Sequence, residues 1–391
     1  MVSRTGVYEI AEGVWYHRRC IVSLHHLVML PWCNKLHVDK PSLVGYNRVV
    51  MSTVSVTQSN KSRNVTMNEV ILKKKANEFT VLNLTDPQLG NDEWTEGAEK
   101  RNILEYTVSQ LIERVCPDLI TVTGDLSWAG HDHAYDMLAD FLDGFHIPWA
   151  PIWGNHDNQK GEEYVKGVAE RYKRHRFCIY RDGPAELGNG NYTVKIDLNG
   201  QIACVLIMVD THDREGFTNE NGETVKAWGK LRPCQIQWLE GLCEELKKEG
   251  CRNAVLFEHI PIYGYNLASK AAYRSEADLK EMRIEDTLGG DCWNTGYEDS
   301  IGVQHEHISS YPADEGALDM LKRVGIVSHV ISGHDHINNF MISYEGIRMV
   351  FALKTGAGCY WEPLLNGGTV IKISQNGVSE VYHEYVDPNE A

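Results

Sequence analysis

Apolar and polar positions follow two rhythms along this chain. Short apolar runs rich in strand formers recur: FTVLNLT at Phe79–Thr85, LITVT at Leu119–Thr123, and Trp149–Trp153. Between them, apolar residues return with helical spacing, as Ile103, Leu104, Val108, Leu111 and Ile112 do within Arg101–Val115. The same periodicity predicts helices over Ala134–Leu142, Glu162–Arg174, Pro233–Glu249 and Gly316–Val324. Further strands are predicted at Tyr192–Ile196, Ala203–Val209, Ala254–Phe257, Val327–Ile331, Arg348–Leu353 and Thr369–Ile373. Strands alternating with helices argue an α/β fold, a sheet covered by helices. Residues 264–315 read as loop-rich, and a long loop inside a compact domain is usually functional or disordered.

The first 66 residues differ from the rest. They carry 8 Lys/Arg against 3 Asp/Glu, whereas the chain as a whole has a net charge of −16. Residues 51–66 are rich in Ser, Thr, Asn and Lys and read as a linker. Met67 and the segment after it read as a start or as the first strand of the domain. Residues 1–66 are therefore expected to be a leader or flexible extension, with the globular domain over 67–391.

Composition narrows the function. With 42% hydrophobic residues, the chain can build a sizeable core. Its net negative charge opposes broad nucleic-acid binding. No apolar run reaches the length of a membrane span, so no membrane association is expected. Ten cysteines form no CxxC pair, which points to reduced thiols in a cytoplasmic protein.

Five segments place metal-capable residues directly after an apolar strand. They are Thr85-Asp86-Pro87-Gln88, Gly124-Asp125, Gly154-Asn155-His156-Asp157, Glu258-His259 and Gly333-His334-Asp335-His336. In open α/β sheets ligands bind beyond the carboxyl ends of strands, so these segments are expected to converge. A carboxylate such as Asp125 can bridge two cations. Asp86 offers a hard oxygen to the first, while Asn155, His259 and His334 offer an amide oxygen and imidazole nitrogens. Such mixed donors suit Fe, Zn or Mn. Two metals about 3.5–4 Å apart can clamp the attacking and leaving oxygens of an in-line displacement and lower the pKa of water. His156, expected to pair with Asp157, is the candidate to protonate a leaving group or to stabilise phosphoryl oxygens.

These five blocks, in this order, resemble the calcineurin-like metallophosphoesterases. GDLSWAG at 124–130 is similar to the purple acid phosphatase block GDLSYAD. KLRPCQIQWLE, FEHIPIYGY and GHDHINNF resemble the small purple-acid-phosphatase-like and Dcr2-like branch, and the likeness spans roughly residues 78–385. The resemblance implies a four-layer α/β/β/α sandwich of two mixed sheets flanked by helices, the metallo-dependent phosphatase fold. It implies two metal ions, divalent or an Fe/divalent pair. Asp86, Asp125 and His336 would bind the first; Asp125, Asn155, His259 and His334 the second. Two departures stand out. Gln88 occupies a position where many members have histidine, making it a weaker ligand or a holder of metal-bound water. Trp128 stands where purple acid phosphatases have tyrosine, so it reads as packing beside the site and no tyrosinate–iron colour is expected.

Other polar motifs read more blandly. Asp132 of His131-Asp132-His133 is expected to cap a helix or lie on the surface. His305-Glu306-His307 reads as a loop near the pocket mouth, and Asp210 and His212 as structural. Tyr263, Tyr265, Tyr360 and Trp361 read as rim aromatics. The expected activity is hydrolysis of phosphate monoesters by a metal-bridging hydroxide on a small phosphorylated substrate. The alternatives are a phosphodiesterase acting on cyclic nucleotides or nucleotide metabolites, a phosphoprotein phosphatase, and a metal-binding scaffold without turnover.

Overall fold

The computed structural model describes residues 55–59, 69–273 and 300–391, with the backbone alone at 55–59. Most of the 1–66 extension and part of the 264–315 loop lie outside these residues. Within the stretch set aside, Ser55–Ser59 forms a strand antiparallel to Glu69–Lys74.

The described strands build two mixed sheets. One has eight strands in the order Ser55–Ser59, Glu69–Lys74, Tyr192–Leu198, Gln201–Met208, Ala254–Glu258, Val327–Ser332, Ile347–Phe351, Met341–Tyr344. The other has five, in the order Gly377–Tyr385, Gly367–Ser374, Glu78–Leu84, Leu119–Thr123, Trp149–Ile152. The strands that carry the five sequence blocks pair in parallel within their sheets.

Side-chain alternation explains the layering. A strand points successive residues to opposite faces. Along Gln201–Met208, Cys204, Leu206 and Met208 face the core shared with the five-stranded sheet. Val205 and Ile207 join a second core with Leu239, Leu242 and Leu246 of the helix Pro233–Lys248. Val255 and Phe257 against Ala254 and Leu256 repeat the pattern. The helix Glu99–Val115 covers the outer face of the five-stranded sheet, where its Leu111 meets Gly368. The helices Gly264–Ala272 and Ala317–Val324 complete the opposite outer layer. The result is helices, sheet, sheet, helices.

Two expectations need correction. The start of the loop-rich stretch is a helix, Gly264–Ala272, because Tyr265, Ala268 and Ala272 recur on one buried face. Tyr265 is therefore a core residue and not a rim aromatic: it is fully buried, and its hydroxyl donates to the Val330 and Val350 carbonyls at 2.8 and 3.0 Å. Sequence periodicity also leaves unmarked the hairpin Arg214–Thr218/Thr224–Trp228, whose residues are mostly polar or exposed.

One strand gives an internal comparison. Leu206→Ala opens a cavity between the sheets and is expected to cost about 2–5 kcal/mol. Ile202→Ala, at the exposed start of the same strand, should stay within about 0.5 kcal/mol. Urea unfolding monitored by circular dichroism checks both, and equal costs would contradict this layering.

Candidate metal centre

All five blocks meet where the two sheets present the carboxyl ends of their parallel strands. Asp86, Asp125 and Asn155 follow strands of the five-stranded sheet; His259 and His334 follow strands of the eight-stranded one. The loops are stitched together by backbone groups. Asp86 N–H donates to the Gly124 carbonyl at 3.2 Å, and Gln88 N–H to the Asp125 carbonyl at 3.1 Å. His334 N–H donates to Asp86 Oδ2 at 3.1 Å, and His156 N–H to Asp125 Oδ1 at 2.8 Å.

Close approach sets two glycines. A Cβ on Gly124, which has φ +86°, would sit 2.6 Å from His259 Nδ1; one on Gly333 would sit 2.1 Å from Thr85 Oγ1. The backbone is also strained where the donors lie. Asp86, Gln88, Asp125 and His334 all have positive φ, at 53°, 44°, 50° and 77°. Such conformations cost of order 1–3 kcal/mol each and concentrate at functional sites.

Acceptors face acceptors at the centre. His259 Nδ1 lies 2.8 Å from the Thr123 carbonyl, which can only accept, so that nitrogen carries the proton. In the neutral ring Nε2 then holds a lone pair. It faces Asn155 Oδ1 at 3.0 Å and Asp125 Oδ1 at 3.3 Å. His336 repeats the arrangement: Nδ1 is 2.7 Å from the Tyr360 carbonyl, and Nε2 is 3.4 Å from Asp86 Oδ1. Asp86 Oδ1, Gln88 Oε1 and His334 Nε2 are buried with no hydrogen-bond partner. Ligand atoms of Asp125, His259 and His334 all lie within 4.8 Å of one another. A set of buried oxygen and imidazole acceptors, three of them with no donor, fits cations.

The electrostatics agree. Burial pushes the Asp86 and Asp125 carboxyls up, but the neighbouring His259, joined at Asp86 by His336 and Lys354, more than reverses this and holds both low. Burial opposes the charge on His259, yet Asp125 and Asp86 raise it to about 10. His334 is lowered to about 3 by burial and by repulsion from His259. Without a cation, then, a proton on His259 takes the central position.

Several residues sit otherwise than their sequence implies. The His156–Asp157 pair does not form. Asp157 is fully buried and takes N–H groups of Leu126 at 3.1 Å and Gly154 at 2.7 Å, plus the Tyr135 hydroxyl at 2.7 Å. It ties the second block to the third and does not face the reacting position. Burial, with Asp125 nearby, raises its pKa to about 7. The His156 ring pairs with Gln159, whose amide nitrogen is 3.0 Å from Nδ1. Gln88 donates its side-chain N–H to Asp125 Oδ2. Trp128 packs beside the site, 39% exposed and against His156, with ring centroids 4.4 Å apart. Asp132, expected to cap a helix or lie on the surface, takes the surface role: its carboxylate accepts from Tyr164 Oη at 2.6 Å and Arg171 Nη2 at 3.0 Å.

Asp210 braces the surrounding loops, accepting from Asn158 Nδ2 at 3.1 Å and His212 N–H at 2.8 Å, while His212 Nε2 meets Gln235 Oε1 at 3.1 Å. Glu306, from the 305–307 triplet, takes Ile337 N–H at 2.8 Å and the Tyr360 hydroxyl at 2.7 Å. Tyr360 stacks on His336 at 4.1 Å, and Trp228 of the hairpin meets His334 edge-on at 4.3 Å. Arg214 lies over the Trp228 ring at 3.2 Å. Trp228 and Lys354 escaped sequence reading. Lys354 had a usable signal, since VFAL-Lys354-Thr355 is one more polar step after an apolar strand.

Residues 79–338 match the profile of the calcineurin-like phosphoesterases. The chain belongs to that family. Among its relatives is "Probable inactive purple acid phosphatase 28" of Arabidopsis thaliana, 23% identical over 65% of this chain and 62% of the relative. "Phosphatase DCR2" of Saccharomyces cerevisiae is 23% identical over 77% of this chain and 52% of the relative. "Serine/threonine-protein phosphatase CPPED1" of Danio rerio is 22% identical over 80% of this chain and 86% of the relative. The chain thus spans less than two thirds of the first two of these relatives. A dimetal phosphatase structure from Danio rerio aligns with TM-score 0.48 and 14% identity over 78% of this chain and 98% of that one.

The His259 shift makes a pH prediction for this family member. A folded pKa near 10, against an ordinary 6.5, gives stabilisation that is complete below 6.5 and lost as pH rises through 10. Chelator-treated protein should therefore melt at progressively lower temperature from pH 7 to 10. Metal-loaded protein should show a flatter profile, because the cation replaces the proton. Melting curves with and without chelator test this; parallel profiles would contradict it.

Proposed function

We propose that this chain is a phosphomonoesterase with a dinuclear metal centre, acting on a small phosphorylated substrate. The convergence of buried acceptors from five strand ends, three of them without a hydrogen-bond partner, carries this reading. Asp86, Asp125 and His336, with Gln88 beside them, would hold one ion; Asp125, Asn155, His259 and His334 would hold the other. When bound, Fe, Zn or Mn ions supply Lewis-acid stabilisation of phosphoryl oxygens and lower the pKa of water.

The chain's own groups orient the substrate. The Gln159 amide N–H donates to His156 Nδ1, which leaves the proton of the neutral ring on Nε2. That nitrogen is 3.9 Å from Asp125 Oδ2 and belongs to a side chain that is 20% exposed. His156 is thus set to donate a hydrogen bond to a phosphoryl or leaving oxygen, with Trp128 fixing its ring plane. At the mouth, the Arg214 guanidinium on Trp228 supports a doubly charged monoester over a singly charged diester. The seven described cysteines carry free thiols, which supports a reducing, cytoplasmic setting. Among the described residues no helix is long and apolar enough to cross a membrane.

Asp125→Ala and His259→Ala are each expected to abolish turnover of an aryl phosphate with the circular dichroism spectrum retained. His156→Ala should lower kcat by about 10²–10³. Chelation should abolish activity, and Mn, Zn or Fe should restore it. A mono-aryl phosphate should be hydrolysed faster than a bis-aryl phosphate. Full turnover in either ligand variant removes this reading; faster diester turnover replaces it with a phosphodiesterase; two bound metals without hydrolysis of any ester make the protein a scaffold.

A further inference from the structure

One buried cation has no part in the reaction as derived above. Lys354 is 2% exposed, in the segment after the strand Ile347–Phe351. Its Nζ donates to the backbone carbonyl of Asp86 at 2.5 Å. Among the described residues it is paired with no carboxylate. The surrounding backbone pins it in place: Thr355 N–H donates to the Thr85 carbonyl at 3.0 Å, and Gly367 N–H to the Lys354 carbonyl at 3.0 Å. Burying an ammonium against one neutral partner is costly, so a nearby negative field must offset it. Asp86, Cys359 and Asp125 supply that field in part; burial still prevails and lowers the Lys354 pKa to about 8.

The two halves of the centre are also built unequally. Asp125, Asn155, His259 and His334 supply four donors to one half. Asp86, His336 and the shared Asp125 supply three to the other, with Gln88 directing its N–H onto Asp125 Oδ2, an oxygen that a bridging role would share. Gln88 Oε1, a neutral amide oxygen, is the donor that it can offer there. A fixed positive charge behind Asp86 works against a dication in front of it.

We propose that Lys354 is a resident cation that weakens the Asp86 half of the centre, so the protein holds one metal tightly at the His259 half and a second one exchangeably. The proposal rests on the metal-dependent reading above. Lys354 acts as a positioning and affinity-setting residue, since its Nζ is committed to the Asp86 carbonyl. Lys354→Gln separates its two effects, because the amide keeps a donor for the Asp86 carbonyl and loses the charge. Gln88→His is an independent variant that adds a stronger donor to the same half.

The experiment is calorimetric titration of Mn²⁺ into the chelator-stripped full chain, with circular dichroism confirming the fold of each variant. The wild type should show two events whose dissociation constants differ by at least about tenfold. Lys354→Gln should tighten the weaker event by about tenfold or more, the direction expected when one unit charge close to a dication is removed. Gln88→His should tighten that event as well. Two equal events in the wild type, or a weaker event that Lys354→Gln leaves unchanged or loosens, overturns the proposal. If Lys354→Gln fails to fold, Gln88→His and the spacing of the wild-type events decide it. No Mn²⁺ uptake by folded wild-type protein overturns the metal-dependent reading and this proposal together, whereas two events with hydrolysis and no response to either variant overturns only this one.

Discussion

Buried lone pairs that face one another are the constraint on which this structure depends. Each unpaired buried acceptor costs roughly 1–3 kcal/mol, and three of them, on Asp86, Gln88 and His334, lie in one small volume. His259 Nε2 faces two further oxygens across about a hydrogen-bond distance. Four residues there also hold left-handed backbone. A fold that accepts these costs together has to recover them from something positive. A proton on His259 does so in part; cations matched to oxygen and imidazole do so more completely.

The two-sheet architecture keeps these repelling groups together. Donors come from both sheets, so no single loop can relax away from the rest without disturbing a strand. The interior between the sheets is fully packed, with Leu206, Met208, Val255 and Phe257 all at 0% exposure, which leaves little room for the strand ends to shift. A second ring of buried polar groups locks the loops. Asp157 gathers N–H groups from two blocks, Asp210 braces the helix Asn155–Asn158, and the Ser332 hydroxyl holds the His259 carbonyl at 2.7 Å. Preorganisation here is a property of the frame and not of the ligands themselves.

Much of this was readable because chemistry and periodicity coincide. A run such as LITVT ending in Gly124-Asp125 announces a buried strand and its functional end at once. What escaped has a physical reason in each case. The hairpin Arg214–Thr218/Thr224–Trp228 lies on the surface, so its strands lack an apolar alternation. Gly264–Ala272 hides its buried stripe in small residues, Ala268 and Ala272, that sequence reading assigns to loops. His156 and Asp157 are neighbours in sequence, but a helical turn points adjacent residues in different directions, so they cannot pair as expected. Lys354 follows an apolar strand as the ligands do, but a lysine there usually means solvent, and its burial decides the matter.

Among the ligand positions, the departure from the family pattern falls on the Asp86 side of Asp125. Gln88 lies next to the Asp86 half, and Trp128, in place of a tyrosine, offers no oxygen donor and turns its ring to His156. The His259 half keeps its amide oxygen and both imidazoles. Relatives of this chain include proteins named as phosphatases and others named as probably inactive. Ligand loss spread over both halves would abolish metal binding and turnover alike. Change confined to one half leaves a firm anchor for one ion and makes the second the variable part. On the proposed two-metal reading, occupancy of the Asp86 half, with an amide beside it and an ammonium at the Asp86 carbonyl, would be the quantity on which activity turns.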